Sequence, residues 1–177
     1  PACVERVNGM FAVAIVHLRE QRLFLARDRF GQKPLFYVLG QERIAFASGP
    51  TALMQVPWIP DDLDYGAVQD YLQFHYIPEP RSVYRSVRKL PPHSYAVWEE
   101  GRFCAESYWE PRLDPKREGA YAETQDLLRH ELEAAVARRL VADVPVGVFL
   151  SGGLDSSIIA ALAVQARDRA QDVRTFS

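Results

Sequence analysis

The run from Val146 to Ile158, Val-Gly-Val-Phe-Leu-Ser-Gly-Gly-Leu-Asp-Ser-Ser-Ile, constrains the fold more than any other stretch of the chain. Val146 to Leu150 is a short apolar segment of the kind a buried parallel strand presents, and Ser156 onward reads as the start of a helix. A strand that passes so quickly into a helix belongs to a βαβ unit, and Val173-Arg174-Thr175-Phe176 predicts the next parallel strand. Between strand and helix, Gly152 and Gly153 allow a sharp turn and a close backbone approach to a ligand. Serine hydroxyls and the N–H groups of a helix start then offer a pocket for an anion. Strand, Gly-Gly turn and helix also occur as a plain connection, but six residues of the right types at one junction favour a phosphate cradle. It is not the mononucleotide P-loop, which needs a lysine, because none lies between Val141 and Gln165.

Ahead of this unit the chain is β-rich. Phe11 to His17 and Leu23 to Arg27 flank the polar turn Arg19-Glu20-Gln21 and predict a hairpin; Leu35 to Val38 and Ile44 to Ala47 predict a second one around Gly40-Gln41. Four antiparallel strands in so short a span suggest a single sheet in an α+β layer fold. Pro50 to Gln55 reads as a short helix start, and Asp62 or Asp64 as the N-cap of a helix with Val68, Tyr71, Leu72 and His75 on one face. From Ile77 to Pro92 four prolines predict an ordered loop that connects elements. Ser94 to Trp98 and Arg102 to Ala105 form another hairpin signal around Glu99-Glu100-Gly101. After Tyr108-Trp109 the polar segment Pro111 to Gly119 reads as a linker. Tyr121 to Leu140 then reads as an amphipathic helix with Leu128, Leu132, Val136 and Leu140 on one face.

Composition excludes several classes. A hydrophobic content of 48% supplies a core, and 21 basic against 23 acidic residues give no electrostatic case for nucleic acid or an anionic membrane. No apolar run reaches membrane-spanning length and no signal peptide is apparent, so the expected setting is cytoplasmic. Cys3 and Cys104 form no metal-ligand pattern and read as small, partly buried apolar residues; His17, His75, His93 and His130 share no metal spacing and read as structural or surface groups. The chain starts without methionine and stops within a predicted strand, and a parallel sheet covered on both faces needs further βα units. A fragment of a longer protein is therefore expected.

Ser-Gly-Gly-Leu-Asp-Ser-Ser resembles the pyrophosphate loop of the ATP pyrophosphatase superfamily. Four further segments extend that likeness: Cys3-Val4-Glu5-Arg6-Val7-Asn8-Gly9-Met10-Phe11-Ala12, Ala26-Arg27-Asp28-Arg29-Phe30-Gly31-Gln32-Lys33-Pro34-Leu35, Lys89-Leu90-Pro91-Pro92 and Asp143-Val144-Pro145-Val146-Gly147. Together they resemble glutamine-hydrolysing asparagine synthetase along the whole chain. The resemblance implies an α+β then α/β fold: residues 1–110 as the C-terminal part of a class II amidotransferase domain (an Ntn-type glutaminase β-sandwich), 111–120 as linker, and 121–177 as the first βαβ unit of a parallel-sheet ATP pyrophosphatase domain. It also implies an ATP-dependent ligase that makes asparagine from aspartate and glutamine-derived ammonia through a β-aspartyl-adenylate, releasing AMP and pyrophosphate.

Carried onto matching positions, the resemblance implies ATP on Leu150, Ser151, Gly152, Gly153, Asp155, Ser156 and Ser157, with Leu150 on the adenosine side and Asp155 on Mg2+ or the loop geometry. Glutamine, aspartate and ATP are the implied small-molecule substrates, with no nucleic acid and no membrane, and a homodimer is compatible with the full-length protein. No catalytic residue is assigned. The family's glutaminase nucleophile is an N-terminal cysteine that uses its own α-amino group, which an internal residue such as Cys3 cannot reproduce. Arg27 and Asp28 read as a structural ion pair, with loop orientation near an ammonia path as the alternative. Phe46-Ala47-Ser48-Gly49 departs from the family's Phe-Ala-Ser-Glu and puts that acid's contact in doubt. Two other readings stay open: a related amidotransferase or β-lactam synthetase with another carboxylate acceptor, and an inert fragment that at most binds nucleotide.

Overall fold

Alternation of apolar residues along short β-branched and aromatic runs produces most of the structure. The computed structural model describes residues 2–114, 116, 119–166 and 173–177. It divides into two compact units, Pro1–Arg112 and Leu113–Ser177.

The first unit opens with a short helix, α1 (Ala2–Glu5), and then the hairpin β1 (Ala12–His17) and β2 (Arg22–Arg27), paired antiparallel from Ala12 opposite Arg27 to His17 opposite Arg22. A second hairpin, β3 (Phe36–Leu39) and β4 (Ile44–Ala47), follows, then α2 (Pro50–Leu53), α3 (Tyr65–Phe74), the two-residue strand β5 (Arg88–Lys89), and β6 (Ser94–Glu99) with β7 (Arg102–Ser107). The two early hairpins do not share a sheet. One sheet runs β1-β2-β6-β7 and the other β4-β3-β5, both antiparallel. The single four-stranded sheet expected from the sequence is thus corrected. β2 pairs with β6, some seventy residues on, and that partner leaves no local trace.

Pleating explains how the sheets meet. Along β2, Leu23 and Leu25 face inward and are buried, as is Ala96 opposite Leu25 on β6; along β3, Tyr37 faces the same core, which Leu35 and Leu90 complete. Tyr37 stacks on Phe103 with ring centroids 4.6 Å apart. The intervening β3 residues Phe36 and Val38 face the other way, into a second core of Val38, Leu53, Ile59 and Val87. Each fully buried leucine contributes roughly 2 kcal/mol through removal of apolar surface from water.

Asp64 caps α3, its carboxylate accepting the Ala67 N–H at 3.1 Å, and His75 ends the helix in the left-handed region at φ 62°. The expected apolar row is not the buried one: Ala67 is fully buried, whereas Tyr71 and Leu72 are exposed. Both cysteines are also exposed, against the expectation of partial burial, Cys3 on the terminal α1 and Cys104 on the edge strand β7.

In the second unit, α4 (Tyr121–Arg139) packs on α5 (Leu154–Gln165), and β8 (Gly147–Phe149) pairs in parallel with β9 (Arg174–Phe176). The expected α4 face is graded: Val136 is buried, Leu132 half-buried and Leu128 exposed. Residues 111–114, 116, 119 and 120 carry no regular element; Pro115, Arg117 and Glu118 of the expected linker lie outside the described residues. Among the described residues, no helix is long and apolar enough to cross a membrane.

Candidate functional site

The junction of β8 and α5 is shorter than its sequence suggested. Helix α5 starts at Leu154, two residues ahead of the expected start, with extended Gly153 (φ −83°, ψ 164°) as N-cap. Asp155 therefore sits in the first helical turn, where a negative side chain complements the helix dipole, and Ser156 follows it. Gly152 makes the turn at φ 76°, a backbone region an L side chain rarely adopts, and a side chain there would meet nothing within 4 Å. The turn is open to solvent.

Its polar groups are arranged as follows. The first helical hydrogen bond runs from the Ser157 N–H to the Gly153 carbonyl at 3.2 Å, so the N–H groups of Leu154, Asp155 and Ser156 precede the ladder. No side chain caps them. Ser156 Oγ donates to the Gly153 carbonyl at 3.1 Å, and Ser157 Oγ donates to the same oxygen at 2.8 Å. Ser151 and Ser156 hydroxyls lie 3.1 Å apart. The root of the loop is fixed where the Leu150 N–H donates to the Phe176 carbonyl at 2.7 Å. Ser151, Gly152, Gly153, Asp155, Ser156 and Ser157 thus converge on one exposed turn, with Leu150 at its base. Asp155 is the acidic member of that set, and among the described residues no group of three or more His, Cys, Asp or Glu side chains could hold a metal ion. Any cation here would need oxygens from its ligand.

In the first unit, the neighbouring Arg27 and Asp28 do not pair with each other, correcting the ion pair expected between them. They point to opposite tasks. Asp28 is buried, and its carboxylate gathers four backbone N–H groups: Phe30 and Gln32 on Oδ1 at 3.1 and 3.0 Å, Lys33 and Phe11 on Oδ2 at 2.9 and 3.3 Å. Burial pushes its pKa up, but the N–H bonds from Lys33, Gln32, Phe30 and Phe11 prevail and hold it below the ordinary carboxylate value. Arg27, also buried, donates to the carbonyls of Lys33, Leu90 and Gly31 at 2.8, 2.7 and 2.7 Å and to Glu79 Oε1 at 2.6 Å. Glu79 gave no signal in the sequence; it lies in the proline-rich loop, 52 residues from its partner. His93 joins the same knot, its N–H on the Asp28 carbonyl at 2.9 Å and its Nδ1 3.2 Å from the Arg29 carbonyl.

Two antiparallel sheets share a core in the first unit, and the second holds a strand, an exposed Gly-Gly turn and a helix. Residues 1–109 match the model of the glutamine amidotransferase domain family, and the chain belongs to that family. Residues 127–177 match the asparagine synthase family model. A putative glutamine-hydrolyzing asparagine synthetase of Mycobacterium bovis is 36% identical over 173 residues, which are 94% of this chain and 26% of the relative. Glutamine-hydrolyzing asparagine synthetase 1 of Bacillus subtilis is 33% identical over 176 residues, 97% of this chain and 27% of its own. A putative glutamine-hydrolyzing asparagine synthetase of Methanocaldococcus jannaschii is 32% identical over 184 residues, covering 99% of this chain and 34% of the relative. The chain spans about a quarter to a third of the length of these curated relatives.

Proposed function

We propose that the chain is part of a glutamine-dependent asparagine synthetase, with residues 1–110 belonging to an Ntn-type glutaminase sandwich and 121–177 opening an ATP pyrophosphatase domain, joined by the linker 111–120. One observation carries the reading: the segment matching the asparagine synthase family contains a strand, an open Gly-Gly turn with Gly152 at positive φ, and a helix start with uncapped N–H groups. That combination suits a pyrophosphate group, which needs several donors and close backbone approach.

In this reading ATP lies with its β- and γ-phosphates on Ser151, Gly152, Gly153, Ser156 and Ser157, and Leu150 borders the adenosine. Aspartate's side-chain carboxylate attacks the α-phosphorus, the α–β phosphoanhydride bond breaks, and pyrophosphate leaves on the loop. Ammonia released from glutamine then attacks the β-aspartyl-adenylate, giving asparagine and AMP. A carboxylate is a poor acyl donor to ammonia until such a leaving group is attached. The loop's contribution is to stabilise charge on the departing pyrophosphate with fixed donors. Mg2+ would supply further charge neutralisation, and Asp155 is the residue that would hold it. A cytoplasmic setting, without nucleic acid or membrane partners, belongs to the same reading.

Titration calorimetry of the chain with ATP and MgCl2 tests it. Saturable binding that is weakened by Ser156→Ala supports the loop as the site. A folded sample that takes up no nucleotide refutes it.

A further inference from the structure

We propose that Arg29 is a clasp that couples the two ends of the first unit, so that the segment after α1 and the strand end leading into the linker are held or released together. The inference goes beyond the nucleotide reading and does not depend on it.

The backbone at Arg29 is anchored on both sides. The Asp28 carboxylate accepts the Phe30 N–H at 3.1 Å, the His93 N–H donates to the Asp28 carbonyl at 2.9 Å, and His93 Nδ1 lies 3.2 Å from the Arg29 carbonyl. From this fixed base the guanidinium reaches two distant stretches of chain. Nη2 donates to the Glu5 carbonyl at 2.8 Å and Nη1 to the Val7 carbonyl at 3.2 Å. Glu5 closes α1, where a helix leaves carbonyls without partners of its own. The guanidinium carbon also stands 6.0 Å from the centre of the Trp109 ring, at the outer edge of cation–π attraction.

Trp109 is well held. Its ring meets Phe30 edge-on at 5.5 Å and lies 6.1 Å from the His93 ring, and its carbonyl accepts Ser107 Oγ at 2.9 Å. Beyond it, residues 110–114 are exposed and carry no regular element. The linker therefore has its root against the Arg29 loop.

Arg29 Nε makes the clasp switchable. It is buried and has no hydrogen-bond partner among the described residues. A buried N–H without an acceptor is unfavourable, and water would satisfy it if the side chain turned outward. The inward pose persists only while the two carbonyls and the indole face together outweigh that cost. Loss of either contact lets the side chain swing out and give up the other. Coupling of this kind is reciprocal, so a change made at Trp109 is felt at Val7.

Amide hydrogen exchange on the full chain tests the clasp. It is followed at Arg6 and Val7, whose N–H groups donate to the Cys3 and Val4 carbonyls, and at Tyr108, whose N–H donates to the His93 carbonyl. Rates are taken relative to the β2 amides, so that a general loss of stability cancels. Arg29→Met is expected to speed exchange at both ends by about fivefold, equivalent to one hydrogen bond. Trp109→Leu leaves the arginine and both carbonyls in place and is expected to speed Arg6 and Val7 by a similar factor. Trp109→Phe keeps a ring face and is expected to stay within about twofold of the parent chain. The double variant Arg29→Met with Trp109→Leu is expected to match Arg29→Met alone, because the coupling has already been removed. Arg6 and Val7 exchanging at the parent rate in Trp109→Leu overturns the proposal, as does a double variant in which the two single effects multiply.

Discussion

Arg27 Nη1 lies 2.6 Å from Glu79 Oε1 and 2.7 Å from the Leu90 carbonyl, joining a strand end, the proline-rich loop and the segment before β6. The arginine side chain is 8% exposed and Glu79 29%. Removing one partner of such a pair leaves the other charge buried, which is worse than never having had the pair. Arg27→Met is expected to destabilise the first unit by about 3–5 kcal/mol in urea unfolding, because Glu79 and three carbonyls lose their donor at once. Glu79→Gln leaves the Arg27 charge buried without its counter-ion but still bonded to three carbonyls, and is expected to cost less, about 2–3 kcal/mol. Equal effects from the two variants would show that the charge pair, and not the carbonyl bonds of Arg27, dominates.

Asp28 gives the unit an acid limit. Because its carboxyl is held below the ordinary value in the folded state, the stability it supplies is present above the unfolded carboxylate pKa and is lost as pH falls through the depressed folded pKa. Unfolding free energy measured from pH 7 downward is therefore expected to decline below about pH 4. Asp28→Asn, which can accept through one oxygen but presents an amide to the remaining N–H donors, is expected to cost about 2–3 kcal/mol at pH 7 and to flatten that acid limb. A variant with an unchanged acid limb would assign the decline to other carboxylates.

Gly49 is not a conformational necessity. It stands as N-cap of α2 with extended backbone at φ −151°, provides no capping side chain, and a Cβ built there meets nothing within 4 Å. Gly49→Asp is expected to raise stability by about 0.5–1 kcal/mol, through a capping bond and a less flexible unfolded chain. Thermal melts of the two chains would reveal it. The room at this position also means that the acid common in the family could be accommodated without backbone change.

Gly152 is the contrasting glycine. Gly152→Ala places a Cβ in open space but keeps φ at 76°, a strain of about 1–2 kcal/mol that the exposed turn can relieve by moving. Little change in global unfolding is expected, with nucleotide affinity falling by about tenfold as the turn abandons its ligand-facing geometry. Loss of stability with affinity intact would separate the turn from the binding site.

Local pattern carried much of this structure. The hairpins of β1 with β2, β3 with β4 and β6 with β7 follow from alternation bounded by polar turns, and the parallel pairing of β8 with β9 from two short strand-like runs on either side of a helix. Partnership across the chain was not legible: nothing near Leu23 announces Trp98 opposite it, so two sheets read as one. Burial was misjudged where size mattered more than hydrophobicity, as at Ala67 against Leu72. At the loop, residue types pointed to an anion, but helix start and hydroxyl directions depend on backbone angles at Gly152 and Gly153 that composition does not encode.

The bond from the Leu150 N–H to the Phe176 carbonyl makes the loop's geometry a property of two distant stretches of chain. An excised peptide from Val146 to Gln165 would keep every letter of the motif and lack its mooring. Grafting Ser-Gly-Gly-Leu-Asp-Ser-Ser into another protein would for the same reason call for a host with a neighbouring parallel strand ready to accept that amide.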